Sequence, residues 1–131
     1  MIAIMVVAHS PLASALVETA AYVLGRDPDV TAVDVLPNEC AVDCSEALAR
    51  RMMDADRGDG VLVLTDLPGA SPANIACAAS QRARADGTPC CVLGGVNESM
   101  LLRAINYRQG NLEDVATSAL AGATQALLRV D

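Results

Sequence analysis

Four short apolar runs recur along the chain, at Ile2 to Val7, Val30 to Val35, Val61 to Thr65 and Cys90 to Leu93. Each is rich in Val, Ile, Leu or Cys, and helix-length segments separate them. That alternation is the one expected of a parallel sheet covered on both faces.

The intervening segments carry helix punctuation. Ser10 is placed to cap a first helix, with Pro11 in its first turn and Leu12, Leu16, Ala20, Val23 and Leu24 on one face until Gly25 stops it. Asp43 with Glu46 three residues on predicts a capping box for the second. Ser71 and Pro72 repeat the opening of the first helix, and Gly87 closes that third helix after Asp86. Asn97 caps a short helix carrying Leu101, Leu102 and Ile105. Asn111 opens a last one, in which Leu112, Val115, Ala116, Ala119, Leu120, Ala123, Leu127 and Val130 keep the three-four spacing. The expected architecture is a single doubly wound α/β domain over 1–131, with a mainly parallel four-stranded sheet in the order 2-1-3-4 flanked by helices.

Composition narrows what such a domain can do. A formal net charge of -7 argues against nucleic acid or an anionic membrane, because phosphate surfaces demand a basic footprint. All nine basic residues are Arg, so a Walker lysine is impossible. Asp34 sits in the second strand, where dinucleotide folds carry an acid, but the first strand–helix turn has no Gly and the Rossmann fingerprint fails. Arg50-Arg51 reads as a solvated helix patch beside neighbouring acids. The five cysteines, Cys40, Cys44, Cys77, Cys90 and Cys91, read as reduced thiols acting as small hydrophobes. Cys40 and Cys44 have the wrong spacing for a zinc knuckle, so neither a metal nor another cofactor is expected. Met1 runs straight into an apolar strand with no basic leader, which predicts a cytoplasmic protein without membrane insertion.

The chemistry gathers where strands end. His9, the one histidine, closes the first apolar run, and Asp66 closes the third. With the first strand central, the first and third flank the switch point where ligands lodge in open α/β sheets. Adjacent strands lie about 4.8 Å apart, so Asp66 can hold the Nδ1 proton of His9 and leave a lone pair on Nε2. The loop after Asp66 runs into a helix N-terminus, whose unpaired donors suit a phosphoryl oxygen, with the Ser71 hydroxyl added and Ser10 able to contribute from the other side. Gly94-Gly95, after the fourth strand, reads as a place where the backbone turns. Each residue also has a structural reading: Ser71 as an N-cap, Asp66 as a turn residue, His9 as a packed or solvated ring.

The strand ending in His9, the strand ending in Asp66, the run Asp66-Leu-Pro-Gly-Ala-Ser-Pro-Ala-Asn74 and the run Gly94-Gly-Val-Asn97-Glu-Ser-Met-Leu-Leu102 together resemble the IIA component of the mannose-type bacterial phosphotransferase system. The likeness covers nearly the whole chain. It departs at Leu67-Pro68 and Ala70, where family members often carry an aromatic and a second Gly. The resemblance implies a sugar-transport phosphotransferase whose His9 accepts a phosphoryl group from the phosphocarrier HPr and passes it to a IIB subunit. Asp66 would orient His9, and Ser71, Ser10, Gly69 and Ala70 would bind the phosphoryl group. Pro11, Leu12, Leu67, Pro68 and Met100 would form the docking surface. A homodimer built by exchanging a C-terminal strand is implied as well. Two alternatives stand beside this one: a regulatory module whose His9 phosphorylation state controls a partner protein, and the phosphocarrier subunit of a dihydroxyacetone kinase.

Overall fold

The computed structural model describes residues 1–131. Strands and helices alternate as β1 (Ala3–His9), α1 (Leu12–Leu24), β2 (Val30–Val35), α2 (Ala41–Ala55), β3 (Val61–Thr65), α3 (Ser71–Ala85) and β4 (Cys90–Leu93), and α4 (Glu98–Tyr107) and α5 (Leu112–Gln125) close the chain. The sheet order is β2-β1-β3-β4 and every pairing is parallel. β1 is therefore central, and its carboxyl end abuts that of β3.

Successive residues of a strand face opposite sides, which divides the apolar runs between two cores. Ile2, Ile4, Val6, Ala8, Leu62 and Leu64 pack under α1, α4 and α5. Ala3, Met5, Val7, Val61 and Val63 pack under α2 and α3, against Leu48, Met52, Ile75 and Ala79. Because both faces are covered, β1 and β3 are apolar up to their last residues, His9 and Thr65, and the outer strand β2 is only half-buried. Arg108 pins the opposite end of the sheet. Its buried guanidinium donates from Nε and Nη2 to the Ile2 carbonyl and from Nη1 to that of Pro28, at 2.8 to 3.1 Å.

The helix boundaries correct several expectations. Pro11, not Ser10, occupies the N-cap of α1, and no side chain of its own segment caps it. The buried face of α1 centres on Ala13 and Ala20, with Leu16, Val17 and Leu24 partly buried and Val23 exposed. Small residues there let the helix lie close to the sheet. The Asp43–Glu46 capping box does not form: α2 begins earlier, after Cys40, leaving Asp43 in its first turn. Ser71 is the first residue of α3 and Ala70 its N-cap, so the serine hydroxyl caps nothing. Asn97 and Asn111 do cap α4 and α5, accepting from Met100 N and Asp114 N. Gly25 ends α1 in the left-handed region at φ 68°. The last helix stops at Gln125, short of the predicted face, and Leu127, Leu128 and Val130 beyond it are exposed.

Candidate functional site

His9 is the last residue of β1, and the strand register fixes what surrounds it. Its Cα is opposite Val35 at the end of β2, while Val7, two residues back, is opposite Thr65 of β3. Asp66 follows Thr65 directly and so arrives beside His9. Its Oδ2 accepts the backbone N–H of His9 at 3.0 Å and lies 2.7 Å from the ring Nδ1. Burial by itself would push the Asp66 carboxyl up. Hydrogen bonds from the His9 backbone, the His9 ring and the Leu67 N–H outweigh it and hold the carboxyl below the usual aspartate range. Asp66 is therefore ionised at neutral pH and can only accept, which makes Nδ1 the donor, so that the lone pair of a neutral ring lies on Nε2.

That geometry leaves the ring approachable. The His9 side chain is 49% exposed while its partner carboxylate is 10% exposed. The imidazole lines a cavity of about 290 Å³ with Ser10, Val35, Ser71 and Ile75 on one part of its wall. Leu36, Pro37, Asn38 and Glu39, from the loop after β2, and Ala41 at the start of α2 form the rest. Nothing in the sequence reading singled out that loop. The available signal was Pro37-Asn38 following an apolar strand, a turn placed at the carboxyl edge of the sheet, where Asn38 adopts φ 70°.

The donors around the ring differ in their freedom. The Ser10 N–H is already given to Val35 O at 3.0 Å, and Ser10 lines the cavity. The Ala70 N–H is given to Leu67 O at 3.1 Å, closing the turn of which Gly69, at φ 86°, is part. Neither Gly69 nor Ala70, expected to bind the phosphoryl group, lines the cavity, and the Ala70 amide is taken by that turn bond. Ser71 stands at the uncapped start of α3, with Pro72 next and no acid in the first turn. Ser71 is exposed, and the first turn leaves N–H groups unpaired at a positive helix end.

Around this edge Leu12, Leu67, Pro11 and Pro68 are exposed, and Leu36 and Val42 add further apolar surface. Met100 is not among them. It is 1% exposed within the core under α1, α4 and α5, since its position in the first turn of α4 points it inward, so it cannot meet a partner. Gly94 and Gly95 brace the edge: Gly95 N donates to Asp66 O at 2.7 Å and Val96 N to Thr65 O at 2.9 Å. A Cβ on Gly94 would stand 2.8 Å from Pro68 Cγ, so only glycine lets the two loops meet.

Residues 3–120 match the family model described as the PTS system fructose IIA component, EIIA-man. The chain belongs to this family. It is 34% identical over 107 residues to the mannose-specific EIIAB component of the phosphotransferase system of Escherichia coli K12, covering 82% of this chain and 32% of that protein. It is 32% identical over 121 residues to the transcriptional regulatory protein LevR of Bacillus subtilis, covering 89% of this chain and 12% of that one. The chain thus spans a third or less of the length of these relatives. Among solved structures, the phosphotransferase component EIIA of Streptococcus agalactiae superposes with a TM-score of 0.86 at 26% identity, covering 98% of this chain and 97% of that one. The mannose/sorbose-specific IIA subunit of Enterococcus faecalis shares the fold at a TM-score of 0.86 and 21% identity, with 99% and 95% covered. No helix of this mannose-type IIA chain is long and apolar enough to cross a membrane.

Proposed function

We propose that the IIA domain formed by residues 1–131 is a cytoplasmic phosphocarrier that accepts a phosphoryl group from phospho-HPr on Nε2 of His9 and passes it to a IIB component. The observation that carries this reading is the His9–Asp66 pair at the sheet edge, with Nδ1 held at 2.7 Å and the other face of the ring open to a cavity that Ser71 also lines. Neutral imidazole is already a nucleophile, so no base is needed to strip a proton from it. The Nε2 lone pair forms a bond to phosphorus as the donor's own N–P bond breaks, and the electron pair of that bond returns to the donor nitrogen. The proton stays on Nδ1, hydrogen-bonded to the Asp66 carboxylate, whose charge offsets the cationic character the ring gains.

The equatorial phosphoryl oxygens are received by the Ser71 hydroxyl, the Ser10 hydroxyl and the free N–H groups at the start of α3. Pro11, Leu12, Leu67 and Pro68, joined by Leu36 and Val42, supply apolar surface that a partner protein covers during transfer, which excludes water from the phosphorus. The transfer requires neither metal nor nucleotide. Homodimerisation through the C-terminal segment belongs to the same reading. Leu127, Leu128 and Val130 are exposed past α5, and β4 is an outer strand with an unpaired edge.

Incubation with phosphoenolpyruvate and the general phosphotransferase proteins is expected to add one phosphoryl group, seen by intact-protein mass spectrometry, and His9→Ala is expected to remove it. Labelling that persists in His9→Ala overturns the assignment. A second reading is favoured by the likeness to LevR across 89% of the chain. On that reading the phosphorylation state of His9 controls a partner, as a regulatory module would. Failure of the labelled protein to discharge to any IIB acceptor, together with capture of a regulator by only one phosphorylation state, selects it.

A further inference from the structure

Two helices start beside His9, and their N-termini are in opposite electrical states. α3 opens on Ala70 and Ser71 with no side-chain cap and no acid in its first turn. α1 also lacks a cap from its own segment, yet a carboxylate from the neighbouring strand fills the vacancy. Asp34 in β2 accepts the Ser14 N–H on Oδ1 at 3.1 Å and the Ser14 hydroxyl on Oδ2. Ser14 is the third residue of α1, and the first intrahelical bond, from Ala15 N to Pro11 O at 3.0 Å, begins one residue later. Asp34 thus takes a donor that the helix itself leaves unpaired.

Its place in the sheet makes this more than a cap. Asp34 pairs in register with Ala8, the residue before His9. One strand spacing of about 4.8 Å separates their backbones, which brings the carboxylate within roughly one Debye length of a phosphoryl group on His9. The bond to Ser14 also fixes where α1 begins, and hence the path of Ser10 and Pro11 out of β1.

We propose that Asp34 is a positioning residue that discharges the α1 N-terminus, so that a positive helix end meets a phosphoryl group on His9 from the α3 side alone and the group stays labile enough to be passed on. The inference rests on the phosphocarrier reading of His9. An uncompensated positive helix end on a second side would bind the phosphoryl dianion more tightly and make His9 a poorer donor. A carboxylate in the same place lowers that affinity and leaves the α3 cradle to orient the group.

The test is the equilibrium ratio of phosphorylated to unphosphorylated protein in a buffer of phospho-HPr and HPr at fixed proportion, read by mass spectrometry. Asp34→Asn keeps an acceptor for Ser14 and removes the charge. It is expected to raise the ratio about three- to ten-fold, the scale of a charge at a helix end. Asp34→Ser is a second neutral variant with the same expectation should the first fold poorly, as judged by circular dichroism. The double variant Asp34→Asn with Ser14→Asp returns a carboxylate to the same helix end from the other side, and the ratio is expected to fall back toward the starting value. A purely structural cap would lower stability in the single variants and leave the ratio where it was, and that result overturns the proposal. Absence of labelling in the unaltered protein would instead overturn the phosphocarrier reading, and this inference with it.

Discussion

Asp66 Oδ2 takes two hydrogen bonds from His9, one from its backbone N–H and one from its ring. The first locks the carboxylate to the end of β1, and the second locks the imidazole to the carboxylate. Asp66→Asn keeps the shape and removes the charge that selects the Nδ1–H tautomer. Phosphorylation of His9 is expected to slow about 10- to 100-fold, the usual cost of losing an orienting partner of a reactive ring. Stopped reactions resolved by mass spectrometry give the rate, and a variant that labels as fast as the parent would remove Asp66 from the mechanism.

Two carboxyl groups are shifted in opposite directions, and their pH signatures should differ in sign. Asp66 is held below its ordinary range, so its bonds contribute stability above the unfolded aspartate value of about 4, and that contribution is lost as pH falls through the lower folded value. Glu98, at the start of α4, is pushed up by burial, and one of its oxygens has no partner. Its charged form is the penalised one, so its cost grows as pH rises through its folded value. In thermal melts from pH 3 to 8, Asp66→Asn is expected to lose less stability than the parent toward the acid end. Glu98→Gln is expected to gain on the parent as pH rises toward neutrality. Parallel curves for all three proteins would contradict both assignments.

Ser71 separates a phosphoryl-binding role from a structural one with unusual ease, because its hydroxyl caps nothing. Ser71→Ala is expected to leave the melting temperature within the scatter of a neutral surface change, about 0.5 kcal/mol, and to slow phosphoryl transfer about ten-fold. A stability loss of about 1 kcal/mol without a kinetic effect would restore the capping role that the sequence suggested.

The strands were legible because a parallel sheet covered on both sides leaves apolar runs that need no alternation, and all four fell where those runs lie. The His9–Asp66 juxtaposition followed from strand order alone, since two strand-end residues on neighbouring strands have nowhere else to go. Helix starts were less legible. Ser10, Ser71 and the Asp43–Glu46 pair carry cap-forming side chains, but tertiary context moved each boundary by one to three residues, and at α1 the cap came from Asp34 on another strand. Local patterns cannot reveal a partner 20 residues away in sequence. Arg108 was illegible for the same reason: its carbonyl acceptors, Ile2 and Pro28, come together only in the folded chain. Met100 failed as a surface residue because the turn of α4 that carries it is rotated into the core, a phase that one apolar residue near a helix start does not fix.

Gly94 and Gly95 make a paired prediction about how the site is braced. At Gly95 the strain is one of conformation: φ is 74° and a Cβ there would meet no atom within 4 Å. Gly95→Ala should therefore cost about 1 kcal/mol and move nothing around it. At Gly94 the strain is one of space. A Cβ would stand 2.8 Å from Pro68 Cγ, and a proline ring has no rotamer by which to withdraw. Gly94→Ala must displace the turn between Asp66 and Ala70, at a cost of about 1 to 3 kcal/mol for overpacking. The displacement passes to Asp66, whose carbonyl is bonded to the Gly95 N–H in the same brace. His9 phosphorylation is expected to slow at least ten-fold in Gly94→Ala and less than two-fold in Gly95→Ala, compared at a temperature where both are fully folded. Parent-like rates in both variants would mean that the loop after β4 acts on stability alone, and that the Asp66 turn is held in place from elsewhere.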